Sequence, residues 1–231
     1  MKVVILAGGY GTRITEESYN KPKPMIEIGN KPIIWHIMKY YASYGFKDFI
    51  ICCGYKAEVI QNYFRYNDEG WNIETVDTGL DTMTGGRVKR IKKYVNDESF
   101  FLTYGDGVAN VNLNELLNQH MNSDNVVTLT TVHKPDRFGI VNIRDNKVTE
   151  FIEKNESWIN GGWMICNKEV FDYIGDDSTI FEKEPLEKLA MQNKLGAYKH
   201  DGFWQCMDTL REKNKLEDMI INNKAPWIVW K

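Results

Sequence analysis

Three groups of residues in this chain could do chemistry together. The stretch LAGGYGTR sets Gly8, Gly9 and Gly11 beside a hydroxyl, Thr12, and a planar cation, Arg13. Glycine backbone turns tightly and offers its N–H groups to an anion with no Cβ in the way, and an arginine fork adds paired donors. Further on, NKPKPM holds Lys23 between Pro22 and Pro24. Their fixed φ stiffens an extended path and gives the ammonium a set direction. Phosphate is the anion that suits these groups. The spacing G-G-x-G-T-R lacks the third glycine of a dinucleotide fingerprint, and no G-K-[ST] follows as in a P-loop. A nicotinamide-dependent oxidoreductase is therefore disfavoured.

Two carboxylates complete the set. Asp106 in TYGDG follows an apolar run and is flanked by Gly105 and Gly107, and Asp208 in FWQCMDTLRE stands after a later run. Aspartates from distant parts of a chain could hold one Mg²⁺, which keeps several waters and bridges phosphate oxygens. Asp208 equally suits the N-cap of a helix from Thr209, with Glu212 completing a capping-box-like pattern. Spacing leaves both roles open.

The elements that must position these residues show as alternating runs. Apolar, β-branch-rich segments predict strands at 3–7, 48–55, 71–78 and 99–106, and helical spacing predicts helices at 32–45, 57–66 and 85–95. A doubly wound sheet would bring the glycine turns after the first and last of these strands side by side in its crevice. From residue 126 short alternating runs at 126–133, 139–143 and 148–154, with a turn at Asp145-Asn146, predict antiparallel or mixed sheet. A helix at 185–193, a strand within 196–208 and a helix at 209–221 close the chain. The fold class is α/β: one Rossmann-like domain over residues 1–231, with a mixed, mainly parallel sheet flanked by helices. Residues 1–125 hold the glycine turns, Lys23 and Asp106, and 126–231 the shorter alternating runs, Asp208 and the C-terminal helix.

Composition narrows the partners. With 29 basic against 32 acidic side chains the net charge is −3, which offers no bulk attraction to nucleic acid or an anionic membrane. No segment nears the ~20 apolar residues of a membrane span. Cys52, Cys53, Cys166 and Cys206 lack C-x-x-C spacing, and the adjacent pair would point to opposite faces of a strand. They read as four reduced thiols in a cytoplasmic protein. The four histidines lack metal-like spacing, and His36 reads as packed or capped. The basic run from Arg87 to Lys93 reads as a solvated helix face from which only Arg87 is kept. Glu182 and Glu184 read as first-turn acids, and Trp158 and Trp163 as core.

Taken in order along the whole chain, LAGGYGTR, KPKPMIEIGNKPIIWHIM, the TGG of MTGGR, TYGDG, FIEK, INGG and MDT resemble the sugar-phosphate nucleotidyltransferases. IIWHIMKYYASYGFKDFIICCGY, TMTGGRVKR, GFWQCMDTLREKNKLE and KAPWIVWK are similar to the members that use CTP and glucose 1-phosphate. The resemblance implies a fold of the nucleotide-diphospho-sugar transferase type and an enzyme that joins CTP and a sugar 1-phosphate, here glucose 1-phosphate, to give a CDP-sugar and pyrophosphate. It implies nucleotide contacts from Leu6, Ala7, Gly8, Gly9, Gly11, Thr12, Arg13, Lys23, Thr82, Arg87 and Gly105, with Arg13 and Lys23 catalytic. It implies acceptor contacts from Gly139, Glu153, Lys154 and Asn160, Mg²⁺ as cofactor on Asp106 and Asp208, and a homo-oligomer, with residues 1–125 the mainly nucleotide-binding half and 126–231 the mainly acceptor-binding half with the C-terminal helix.

Two departures stand out. Only RYNDEG separates the second helix from the third strand, where the glucose-specific members carry a longer segment, and Glu153-Lys154-Asn155 replaces the family's E-K-P. Two alternatives remain open: the same chemistry on another sugar phosphate or a non-sugar phosphate, and a non-catalytic nucleotide-binding regulatory subunit. The latter would be expected to lose a magnesium carboxylate or Lys23, and this chain keeps Asp106, Asp208 and Lys23.

Overall fold

Val3–Leu6, an unbroken run of valine, isoleucine and leucine, forms strand β1, buried on both faces as a central parallel strand must be. The computed structural model, which describes residues 1–12, 14, 19–135, 140–152 and 156–230, arranges the chain around it. A small hairpin of β2 (Glu27–Ile28) and β3 (Lys31–Pro32) leads into helix α1 (Ile33–Ser43). Then β4 (Asp48–Cys53), α2 (Ala57–Tyr66), β5 (Asn72–Asp77), α3 (Thr84–Arg90) and β6 (Ser99–Tyr104) follow the expected alternation. β4 and β6 flank β1 and β5 lies outside β4, all parallel.

The second half extends the same sheet. It comprises β7 (Gly107–Ala109), α4 (Leu113–Met121), β8 (Val127–Pro135), β9 (Ile140–Arg144), β10 (Lys147–Ile152), β11 (Glu156–Asn160), β12 (Met164–Asn167), α5 (Glu184–Met191), β13 (Leu195–His200), β14 (Trp204–Cys206) and α6 (Leu210–Ile221). The main sheet runs β11-β8-β12-β6-β1-β4-β5, with β13 parallel to β8. β11 and β12 are antiparallel to their neighbours, so the mixed, mainly parallel sheet expected from the sequence is what forms. Asp145 and Asn146 both take positive φ (48° and 60°) and join β9 to β10 as the predicted tight turn.

Alternation along the central strands builds two cores. Val3, Ile5, Phe49, Ile51, Cys53 and Phe101 face α1 and α6, whereas Val4, Ile50, Cys52, Phe100 and Leu102 face α3 and α5. Cys52 and Cys53 thus point to opposite faces, and all four cysteines are free thiols. Trp163 is buried, as read, while Trp158 is 38% exposed.

Some expectations need correction. The helix placed at 85–95 ends at Arg90, and Lys92–Tyr94 is a separate 3₁₀ turn. The single strand placed within 196–208 is two, β13 and β14, in different sheets. Lys23 sits in a 3₁₀ turn, Lys23–Met25; only Pro22 before it is extended. Helix α4 was not read from the sequence, although Asn112 accepts from the N–H groups of Asn114 and Glu115 as an N-cap does. Among the described residues no helix is long and apolar enough to cross a membrane.

Candidate active site

The C-terminal ends of β1, β5 and β6 open onto a cavity of about 500 Å³. Its wall on the β1 side is Leu6 to Thr12, facing Leu80 to Thr84 and Arg87; Lys23, Gly105, Asp106 and Asp208 form its floor. Every described residue assigned to the nucleotide therefore lines one cavity. Arg13 lies outside the described residues.

Arg87 explains the first glycine. Its guanidinium is buried and donates to the carbonyls of Cys53 (3.2 Å), Gly79 (2.7 Å) and Leu80 (3.1 Å) and to the Thr78 hydroxyl (2.8 Å). A Cβ on Gly8 would stand 2.1 Å from Arg87 Nη1. Arg87 thus fixes the segment 78–80 while its guanidinium edges the cavity. Gly11 takes φ 66°, the left-handed turn that returns the chain toward Thr12. Tyr10 donates to Asp81 Oδ1 at 2.9 Å across the cavity mouth, and that bond raises the phenol pKa.

Lys23 marks the chemical centre. Its Nζ lies 2.6 Å from Asp106 Oδ2 and 2.6 Å from Asp208 Oδ1. Burial alone would lower the lysine pKa, but attraction and hydrogen bonds from the two carboxylates outweigh it and the pKa is raised. The convergence has a local cause: β7 and β14 pair antiparallel with Cys206 opposite Gly107, and Met207 N–H donates to the Asp106 carbonyl at 2.8 Å. Thr209, not Asp208, caps α6, forming a capping box with Glu212. The Asp208 carboxylate is thereby directed to Lys23. The ammonium is a stand-in that tests the metal reading: two carboxylates from separate segments do converge on one cation, and an all-oxygen pair suits a hard divalent ion. Cys206 and Glu212 also cluster near Asp208, but Glu212 Oε2 already accepts from the N–H groups of Asp208 and Thr209.

A second cavity, about 220 Å³, adjoins the first and shares Tyr104, Asp106 and Asp208 with it. Asn160, assigned to the acceptor, lines this one, and its Nδ2 donates to the Tyr104 hydroxyl at 3.4 Å. Gly139, Glu153 and Lys154 lie outside the described residues. Sequence reasoning missed Tyr10, Asp81, Thr84, Tyr104 and Trp204 as lining groups; for Tyr104 the signal was its place directly before Gly105-Asp106. It also misread Glu182, which precedes α5 and accepts from Tyr104 and Thr84.

Residues 2–209 match the family model described as Nucleotidyl transferase. The chain belongs to this family. The transferase is 48% identical to a glucose-1-phosphate cytidylyltransferase of Salmonella typhimurium and 41% identical to a probable glucose-1-phosphate cytidylyltransferase of Bacillus subtilis, each match covering all of both chains. Its fold superposes on the crystal structure of HddC from Yersinia pseudotuberculosis with a TM-score of 0.77, 25% identity, and coverage of 95% of this chain and 99% of that one. Two adjoining cavities that meet at paired carboxylates, with a lysine bonded to both, are what a nucleotidyl transferase needs to bring two phosphates together.

Proposed function

We propose that the protein joins CTP and glucose 1-phosphate to give CDP-glucose and pyrophosphate. The observation that carries this reading is the boundary that the two cavities share at Tyr104, Asp106 and Asp208, with Lys23 of the larger cavity bonded to both carboxylates, taken with full-length similarity to cytidylyltransferases of that substrate pair. An oxygen of the acceptor phosphate forms a bond to the α-phosphorus of CTP while the bond from that phosphorus to the α,β-bridging oxygen breaks, and pyrophosphate leaves. No side chain need be a nucleophile, because the acceptor phosphate is already anionic at neutral pH. Catalysis is alignment and charge neutralisation.

The glycine turn at Gly8 to Gly11 and Thr12 would receive the triphosphate. Lys23, with Arg13 and Lys154 by resemblance, would hold two mutually repelling phosphates together. Glu153 and Gly139, also by resemblance, join Asn160 on the acceptor side. Asp106 and Asp208 would hold Mg²⁺, which supplies charge neutralisation at the nucleotide phosphates. We further propose a homo-oligomer in the cytoplasm, consistent with the family resemblance and the free thiols; light scattering on the purified protein checks the assembly.

The test is pyrophosphate release with Mg²⁺ from CTP, UTP, dTTP, GTP or ATP against a panel of sugar and non-sugar phosphates. CTP with glucose 1-phosphate is the pair expected to react. Release with CTP and a different acceptor would move the assignment to another CDP-linked product, and no release from any pair would overturn it in favour of a regulatory subunit.

A further inference from the structure

Glu182 belongs to none of the residues assigned to either substrate, yet it touches the walls of both cavities. Its Oε1 accepts from the Tyr104 hydroxyl at 2.5 Å and its Oε2 from the Thr84 hydroxyl at 2.6 Å. Thr84 begins α3 and lines the larger cavity; Tyr104 ends β6 and lines both. Burial first, then the neighbouring carboxylate, raises the Tyr104 pKa, so the phenol stays a donor.

The segment that carries Glu182 is fastened to α3. Met83 N–H donates to the Asp177 carbonyl (2.8 Å), Gly85 N–H to the Thr179 carbonyl (2.9 Å), and Phe181 N–H to Thr84 Oγ1 (2.9 Å). A Cβ on Gly86 would stand 2.6 Å from Asp177 Cα, so the two segments pack backbone to backbone. One carboxylate therefore ties the helix that walls the nucleotide cavity to the strand end from which Asp106 emerges. Hydrogen bonds to an ionised acceptor are the stronger kind and fix geometry accordingly.

We infer that Glu182 is a positioning residue, holding Thr84 and Tyr104 at one spacing so that the nucleotide and acceptor cavities stay in register for in-line transfer. The inference rests on the proposed function. In Glu182→Gln an amide N–H replaces one acceptor. Only one of the Tyr104 and Thr84 hydroxyls then keeps an oxygen to donate to, and the other must turn its proton away from the amide N–H.

The experiment is steady-state kinetics with CTP and glucose 1-phosphate on wild type, Glu182→Gln, Tyr104→Phe and the double variant. Melting temperatures and calorimetric counting of CTP sites accompany it. Each single substitution is expected to lower kcat per CTP site roughly 10- to 100-fold, the scale of a small misalignment. The double variant is expected to lose no more than the worse single. A structural role alone would lower the melting temperature and leave kcat per site unchanged; that result, or losses that multiply in the double variant, overturns the inference. Should Glu182→Gln fail to fold, Tyr104→Phe and Thr84→Val each remove one donor and carry the same expectation. A wild type that releases no pyrophosphate fails the proposed function, whereas an active wild type with unaffected variants fails Glu182.

Discussion

Asp106 and Asp208 share one ammonium: Lys23 Nζ lies 2.6 Å from an oxygen of each, and the β7–β14 pairing keeps the two carboxylates beside one another. Lys23→Ala would leave two like charges facing each other. Their side chains are 31% and 29% exposed, so water screens the repulsion and the cost is about 1 kcal/mol. The variant should melt about 2–4 °C below wild type in chelator and regain stability on adding Mg²⁺. Turnover should fall about 100-fold with a smaller change in KM for CTP. A melting curve indifferent to Mg²⁺ would count against the shared cation site.

Asp208 and its neighbour divide two jobs that sequence spacing could not separate. Thr209→Ala removes the cap of α6 and should cost about 1 kcal/mol of stability with turnover kept. Asp208→Asn should do the reverse, keeping the helix and lowering turnover about 100-fold or more. Urea titration and initial rates on the two variants distinguish them.

Gly8→Ala should weaken nucleotide binding and destabilise the protein, because the added methyl would stand 2.1 Å from Arg87 Nη1 and must push that buried guanidinium off its acceptors. Arg87→Ala should weaken CTP binding and also destabilise the protein by about 2–4 kcal/mol, since the Thr78 hydroxyl and the Gly79 and Leu80 carbonyls lose a charged donor that ties segment 78–80 to α3. Calorimetric titration of CTP into each variant, with melting curves, checks both.

His36 makes stability pH-dependent. It is buried, with Nε2 on the Ile28 carbonyl at 2.8 Å and Nδ1 3.4 Å from Trp227 Nε1; with Nε2 as donor, Nδ1 accepts the indole N–H. Burial chiefly lowers its pKa from 6.5 to about 4. The unfolded chain therefore takes up the proton first as pH falls. Stability should be unaffected above pH 6.5 and decline progressively toward pH 4, by about 3 kcal/mol in all from this group. His36→Gln should flatten that part of the profile in melting curves taken between pH 7 and 4.

Much of the fold was legible because it is written in near neighbours. The runs VVIL, DFIICC and SFFLTY announce central strands through their own composition, and the Asp145-Asn146 turn through residues that tolerate positive φ. Helix α4 was missed because it buries only Leu113, Leu116 and His120, too few for a clear apolar stripe. The strand placed within 196–208 was misjudged because one apolar stretch feeds two sheets, a choice made by the partners β8 and β7.

The sequence by itself determined the glycine turn, the proline-held lysine and the two aspartates as groups fit for phosphate and a cation, since side-chain type and backbone freedom are local properties. Only the tertiary structure decided that Lys23, Asp106 and Asp208 meet, that Arg87 fills the space Gly8 leaves, and that Glu182 joins Thr84 to Tyr104. Those contacts join residues far apart in the chain, and their distances follow from sheet order and strand register. No window of sequence contains either quantity, because each is fixed by how separate elements bury their apolar faces against one another.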